Sequence, residues 1–203
     1  RGRRGREVNG AGRADPIWTR YNDGTRYPWA NRDLLLERFP SLQERFPTYE
    51  SFGAAQLEDL FPDVRARSGT VKTARTLATT LFDPTEDGTF DASPLPARAQ
   101  FSPVFDAYGS PSDDGDSPMV MLGGNLYGVR PKQGRYDASY GTLLRRTDAG
   151  KWRTVPAAES GLYLRGEVRR LREIRRDREA KYILVARNNA RPQLIRLSSL
   201  HQQ

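Results

Sequence analysis

Beyond residue 75 the chain is interrupted at short intervals by pairs that turn the backbone, Asp87-Gly88, Gly123-Gly124, Ala149-Gly150 and Asn188-Asn189, and the runs between them are brief and rich in apolar residues. Such punctuation leaves little room for helices and favours short antiparallel strands. The strand candidates are 77–82 with 89–90 across the Asp87-Gly88 turn, then 101–108, 118–122, 139–144, 151–155, 168–174 and 181–186. This is the pattern of an all-β sandwich, barrel or propeller.

Upstream the pattern differs. Asp23-Gly24 separates the aromatic runs 17–21 and 25–28 and predicts a hairpin within 16–30. A helical segment, 31–62, is expected to follow. Asn31 is suited to cap a first helix whose stripe is Leu34, Leu35, Leu36 and Phe39, stopped by Pro40. Ser41 with Glu44 three residues on reads as a capping box. A third helix at about 50–61 would align Phe52, Leu57, Leu60 and Phe61 before Pro62. These residues read as core. Residues 1–15, Gly and Arg without apolar periodicity, are expected to be a disordered basic tail.

Composition narrows the chemistry. The chain has no Cys, and its one His is His201, which argues against disulfides, thiolate or imidazole metal centres and nucleophile–His catalysis. At 203 residues it can form one generous domain or two small ones. No apolar run is long enough to cross a bilayer, and the first residues lack the apolar core of a signal peptide. There is no initiator Met, as expected of a mature product or a fragment of a longer chain. The net charge of +8 is concentrated at the ends: residues 1–20 hold six Arg against two acids, and 165–196 hold eleven basic against four acidic residues.

Two stretches are ambiguous by themselves. Asp113, Asp114 and Asp116 surround a glycine ahead of an apolar run, as in a calcium loop or a solvated turn. In 166–181, Val168, Leu171 and Ile174 recur at a spacing of three, which leans towards helix, while the following 182–186 is strand-like.

The runs YNDGTRYPWANRDLLLERFPSLQERFPTYESFGAAQLEDLF, TTLFDPTEDGTFDASPLPARAQFSPV, MLGGNLYGVRPKQGRYDASYGTLL and ESGLYLRGEVRRLREIRRDREAKYILVARNN, taken in order over 17–197, resemble the C-terminal portion of bacterial FG-GAP/VCBS repeat proteins. The nearest in type are similar to cartilage acidic protein and its ASPIC/UnbV-containing kin. The resemblance implies a mainly β fold: a partial, integrin-alpha-like β-propeller of about two blades over 75–198, with a small helical insertion. It implies a strand at 168–174 and a turn at 176–179, against the helical spacing. It places the acidic loop in the register of a calcium loop whose ligand positions fall on Pro111, Asp113, Gly115 and Met119. Only Asp113 has an oxygen-bearing side chain there. Asp114 and Asp116 are shifted by one, so the calcium site is degenerate and no other cofactor is implied. The turn at 83–88 is expected to be structural.

The function implied is that of a non-catalytic module of an extracellular, periplasmic or cell-surface protein. It would act in adhesion or in protein or glycan recognition, joined to the remaining blades of a longer parent chain. Two other classes are weighed beside it. Nucleic-acid or polyanion binding would use the RGRRGR tail and the Arg-rich hairpin, with Tyr163, Tyr182 and Trp152 as stacking surfaces. A carboxylate-dependent glycan hydrolase or lyase would draw on Asp106, Asp113 or Glu159.

Overall fold

The structure, a computed structural model, describes residues 17–62, 72–110, 118–131, 134–175 and 181–197. The expected basic tail, the acidic loop with Asp113, Asp114 and Asp116, and the turn at 176–179 lie outside the described residues. The chain divides into two compact units, Arg1–Ala74 and Arg75–Gln203.

In the first unit β1 (Thr19–Asn22) and β2 (Thr25–Pro28) form the expected hairpin. Asn22 faces Thr25, so Asp23-Gly24 is a two-residue loop, and both residues take positive φ, 47° and 76°. That is the turn whose twist matches paired strands, and it explains the Asp-Gly pair. Four short helices follow: α1 (Arg32–Arg38), α2 (Leu42–Arg45), α3 (Tyr49–Ala54) and α4 (Leu57–Leu60). Their buried faces meet in a core of Leu35, Phe39, Leu42, Ala55, Leu57, Leu60 and Phe61, with the Phe39 and Phe61 rings edge to face at 5.0 Å.

Helices this short expose many unpaired carbonyls. Two arginines cover them: Arg32 donates to Phe46 O (3.0 Å) and Pro47 O (2.9 Å), and Arg45 to Leu60 O (3.2 Å) and Asp59 O (2.6 Å). Arg26 of β2 pairs with Glu58 of α4.

Asn31 caps α1 as expected, accepting the Leu34 N–H at 3.3 Å. Asn31→Ala should destabilise the first unit by about 1 kcal/mol while Asn31→Asp stays near wild type, which urea denaturation will read. Two expectations are corrected. Ser41 adopts helical angles, φ −61° and ψ −18°, and makes no capping bond, and the Gln43 N–H that it could have served donates to Pro40 O. The single helix at 50–61 is two helices, since Ala55 is extended and Asp59 recaptures the Gln56 N–H at 2.9 Å, starting α4 afresh.

The second unit is built of strands, so the chain is mainly β. β3 (Thr80–Pro84) and β4 (Phe90–Pro94) form a hairpin. β5 (Val104–Ser110), β6 (Met119–Gly124), β7 (Thr142–Arg146) and β8 (Trp152–Val155) pair in sequence order as a four-stranded antiparallel sheet. A one-turn helix, α5 (Ala157–Ser160), leads to the three-stranded sheet of β9 (Glu167–Arg175), β10 (Lys181–Asn188) and β11 (Gln193–Arg196). Among the described residues there are thus four small antiparallel sheets and no closed barrel.

The four-stranded sheet is covered on both faces. Met119, Met121 and Leu143 point into one core with Leu164, Val168, Leu171, Ile183 and Val185. Leu122 and Leu144 point to the opposite core with Ala99, backed by Leu95, Val104, Val120 and Trp152. Burial on both sides makes β6 and β7 read as continuous apolar runs instead of alternating ones.

The misleading spacing in β9 has a local cause. The pairing slips at Ala186/Arg187: Val168 faces Arg187 and Arg170 faces Ala186, leaving Arg169 as the extra residue of a bulge. The bulge turns Val168 and Leu171, three apart, onto one buried face. Ile174, three further on without a bulge, falls on the opposite face and is 41% exposed. At the other end of the fold, Arg145 of β7 stands directly opposite Arg153 of β8, which is an edge strand.

Candidate functional site

Among the described residues no group of three His, Cys, Asp or Glu side chains is placed to hold a metal. Several of the described carboxylates hold strands or turns together. Asp106 on β5 accepts the Leu171 N–H of β9 (2.9 Å) and an N–H of Arg172 (3.0 Å), with Arg170 at 3.8 Å. Glu159 is exposed on the one-turn helix α5. The two therefore occupy separate elements and Asp106 is occupied. Asp87 closes the β3–β4 turn, accepting from Thr85 Oγ1 (2.5 Å), Thr89 Oγ1 (2.7 Å) and Thr89 N (3.1 Å), which pulls its carboxyl down to about 2.

Glu167 is the most enclosed of these acids. It accepts from Tyr127 N (2.7 Å), Arg169 Nη2 (2.8 Å) and Asn188 Nδ2 (2.8 Å). The Tyr127 N–H is the main cause that holds its carboxyl below the usual range, against the opposing effect of burial. Buried Asn125 lies alongside with φ 82°, its side-chain Nδ2 donating to Ser139 O (2.7 Å) and Gly166 O (3.1 Å), while its backbone carbonyl accepts from Arg169 Nη1 (3.0 Å). Arg169, the bulge residue, also lies over the Phe105 ring at 4.0 Å. The bulge is thereby fixed by charge, hydrogen bonds and stacking at once.

Tyr108 on β5 donates to Glu173 on β9 at 2.5 Å. Burial, then the bond to Glu173, pushes the phenol up to about 12 from an ordinary 10.0. A raised acid favours the neutral form in the folded state, so its stabilisation is complete below pH 10 and is lost as pH rises through 12. Tyr108→Phe should flatten that alkaline fall in urea stability and remove one late-titrating phenolate from the absorbance titration.

The surface that stands apart from these supports is a shallow cavity of about 210 Å³. It is bordered by Arg98, Phe101, Tyr140, Thr154, Ser160 and Tyr163. Tyr140 and Tyr163 stack with centroids 4.7 Å apart and planes within 10°. Backbone chemistry brings them together: the Leu164 N–H donates to Tyr140 O (2.8 Å), and Gly141, at φ 83°, leaves no Cβ to strike Leu164, which would lie 2.8 Å away. Arg165 lies over the Tyr163 ring at 5.0 Å, and Gln193 donates to Tyr163 O (2.8 Å). The backbone carbonyls of both tyrosines are thus bonded, while the residues are 52% and 43% exposed.

Of the three aromatics expected to offer stacking surfaces, Tyr163 lies here. Trp152 packs on the core around Leu144, and Tyr182 sits on the face of β10 opposite buried Ile183. Tyr140 was not singled out by its sequence. Its signal is weak: Tyr140 precedes Gly141 and Tyr163 follows Gly161 by two residues, so each tyrosine borders a turn.

The described residues define a mainly β protein of small antiparallel sheets with an aromatic-rimmed cavity, and no helix among them is long and apolar enough to cross a membrane. In comparisons with protein-family models, curated proteins and solved structures, nothing matches the chain.

Proposed function

We propose that the chain is a non-catalytic recognition module of the FG-GAP/VCBS β-propeller type, belonging to a secreted or cell-surface protein and acting in adhesion through a protein or glycan partner. The single observation that carries the binding role is the stacked, exposed Tyr140–Tyr163 pair at the rim of the cavity. Exposed aromatics held in place by backbone bonds give contact area at little entropic cost. The blade assignment is supported by the resemblance in sequence and by a four-stranded antiparallel sheet covered on both faces, as a blade between neighbours must be. Calcium at Asp113, Asp114 and Asp116 is not required by this role, since the strand after that loop is paired on both edges, with β5 and β7.

The test is retention of the whole chain on a glycan array and on cell-envelope fractions, with Tyr140→Ala in parallel. Binding that Tyr140→Ala abolishes supports the proposal. Binding indifferent to that change, or turnover of a polysaccharide by the wild type, overturns it.

A further inference from the structure

We infer that the cavity takes one acidic sugar unit, with Arg98 reading the carboxylate and Tyr140 stacking on the ring; this rests on the glycan arm of the function proposed above. Size comes first. At about 210 Å³ the cavity is smaller than the roughly 300–1,000 Å³ usual for drug-sized ligands, which suits a single ring. Platform geometry comes second. Tyr140 stacks on Tyr163, whose ring Arg165 also approaches at 5.0 Å, and Tyr140 is the more exposed of the two tyrosines, at 52%. An exposed tyrosine fits a pyranose, which presents a C–H surface to an aromatic on one side and its hydroxyls at the edge.

Polarity selects the sign. Among the described residues Arg98 is the one charged residue bordering the cavity, and no described carboxylate borders it. Its guanidinium has no ion-pair partner among the described residues, in contrast to Arg169 and Arg172. The neighbouring acids Asp137 and Glu159 are exposed and lie outside the lining. The Thr154 hydroxyl, which also borders the cavity, makes no hydrogen bond among the described residues. A guanidinium without an ion pair, a hydroxyl without a hydrogen bond among the described residues and an exposed tyrosine ring together match the carboxylate, hydroxyl and C–H surface of a uronic acid.

The experiment is calorimetric titration of the full chain with trisaccharides of galacturonate, glucuronate and mannuronate, with their neutral hexose counterparts, and with oligothymidylate. Arg98→Gln and Tyr140→Ala are run beside the wild type, and near-ultraviolet circular dichroism verifies that both variants are folded. At least one uronate should bind about tenfold or more tighter than its neutral counterpart. Arg98→Gln should remove that preference and leave neutral binding unchanged, whereas Tyr140→Ala should weaken both. Equal affinity for acidic and neutral sugars, untouched by Arg98→Gln, overturns the acidic assignment and leaves glycan recognition standing. Binding of no sugar removes the glycan arm as well. Oligothymidylate binding tighter than any uronate replaces both with a polyanion site.

Discussion

Gly124→Ala is expected to unfold the second unit. A Cβ at this position would lie 1.8 Å from the Pro103 carbonyl oxygen, inside the pairing of β5 and β6, and both neighbours of the clash are backbone. A side chain can rotate away from a collision; a strand carbonyl cannot without giving up its ladder. The cost should reach about 4 kcal/mol or more, the range reserved for substitutions that break a structural support. Two companions calibrate it. Gly123→Ala meets Val168 Cγ1 at 2.5 Å, a buried side chain that can shift, and should cost about 1–3 kcal/mol. Gly109→Ala meets nothing within 4 Å and should remain within about 0.5 kcal/mol of wild type. Urea denaturation followed at Trp152, with Trp18 and Trp29 replaced by Phe, reports on the second unit alone. A Gly124→Ala protein with the midpoint of Gly109→Ala would show that β5 and β6 do not approach as described.

Glu167→Ala should be the next most damaging change, at about 3 kcal/mol. It strips three donors of their acceptor at once: the Tyr127 N–H, the Asn188 amide and one Arg169 nitrogen. Because Arg169 is the bulge residue, the loss also loosens the device that puts Val168 and Leu171 on one face. Glu167→Gln keeps an acceptor for the Tyr127 N–H and should fall between alanine and wild type. The pH dependence has a definite sign. The folded carboxyl titrates below its ordinary value of 4.5, so its contribution is present above that value and drains away as pH falls through the lowered one. Wild-type stability of the second unit should therefore drop on acidification below pH 4.5, and Glu167→Gln should show a shallower drop over the same window.

What could be read from the residues alone depended on whether the signal was local. Asp23-Gly24 announced its hairpin because a two-residue turn demands positive φ at both positions, and Asn31 announced its helix because a cap is chosen by the backbone it serves. The residue pattern misled where the backbone departs from the usual local rule. Ser41 looked like a cap, yet it is itself helical and Pro40 O already accepts the Gln43 N–H. Val168, Leu171 and Ile174 imitated a helix because one inserted residue, Arg169, shifts the strand's alternation midway. β11, four residues placed just after Pro192, was missed because Leu194 and Ile195 are too short a run to stand out. The cavity was hardest. Tyr140 and Tyr163 meet through a backbone bond between segments more than twenty residues apart, which no window on the sequence contains.

The pairing of Arg145 with Arg153 bears on how copies of this chain behave towards one another. Neither guanidinium has an ion-pair partner among the described residues, so the outermost strand of the four-stranded sheet has a patch of repulsion beside its unpaired backbone groups. Repulsion of this kind acts as a spacer only as far as the ionic atmosphere lets it reach, about 10 Å in 0.1 M salt and about 3 Å in 1 M. Concentrated salt, which ordinarily frees a basic protein from acidic contaminants, should here drive edge-to-edge self-association detectable by light scattering, and Arg153→Thr should bring that onset to lower salt.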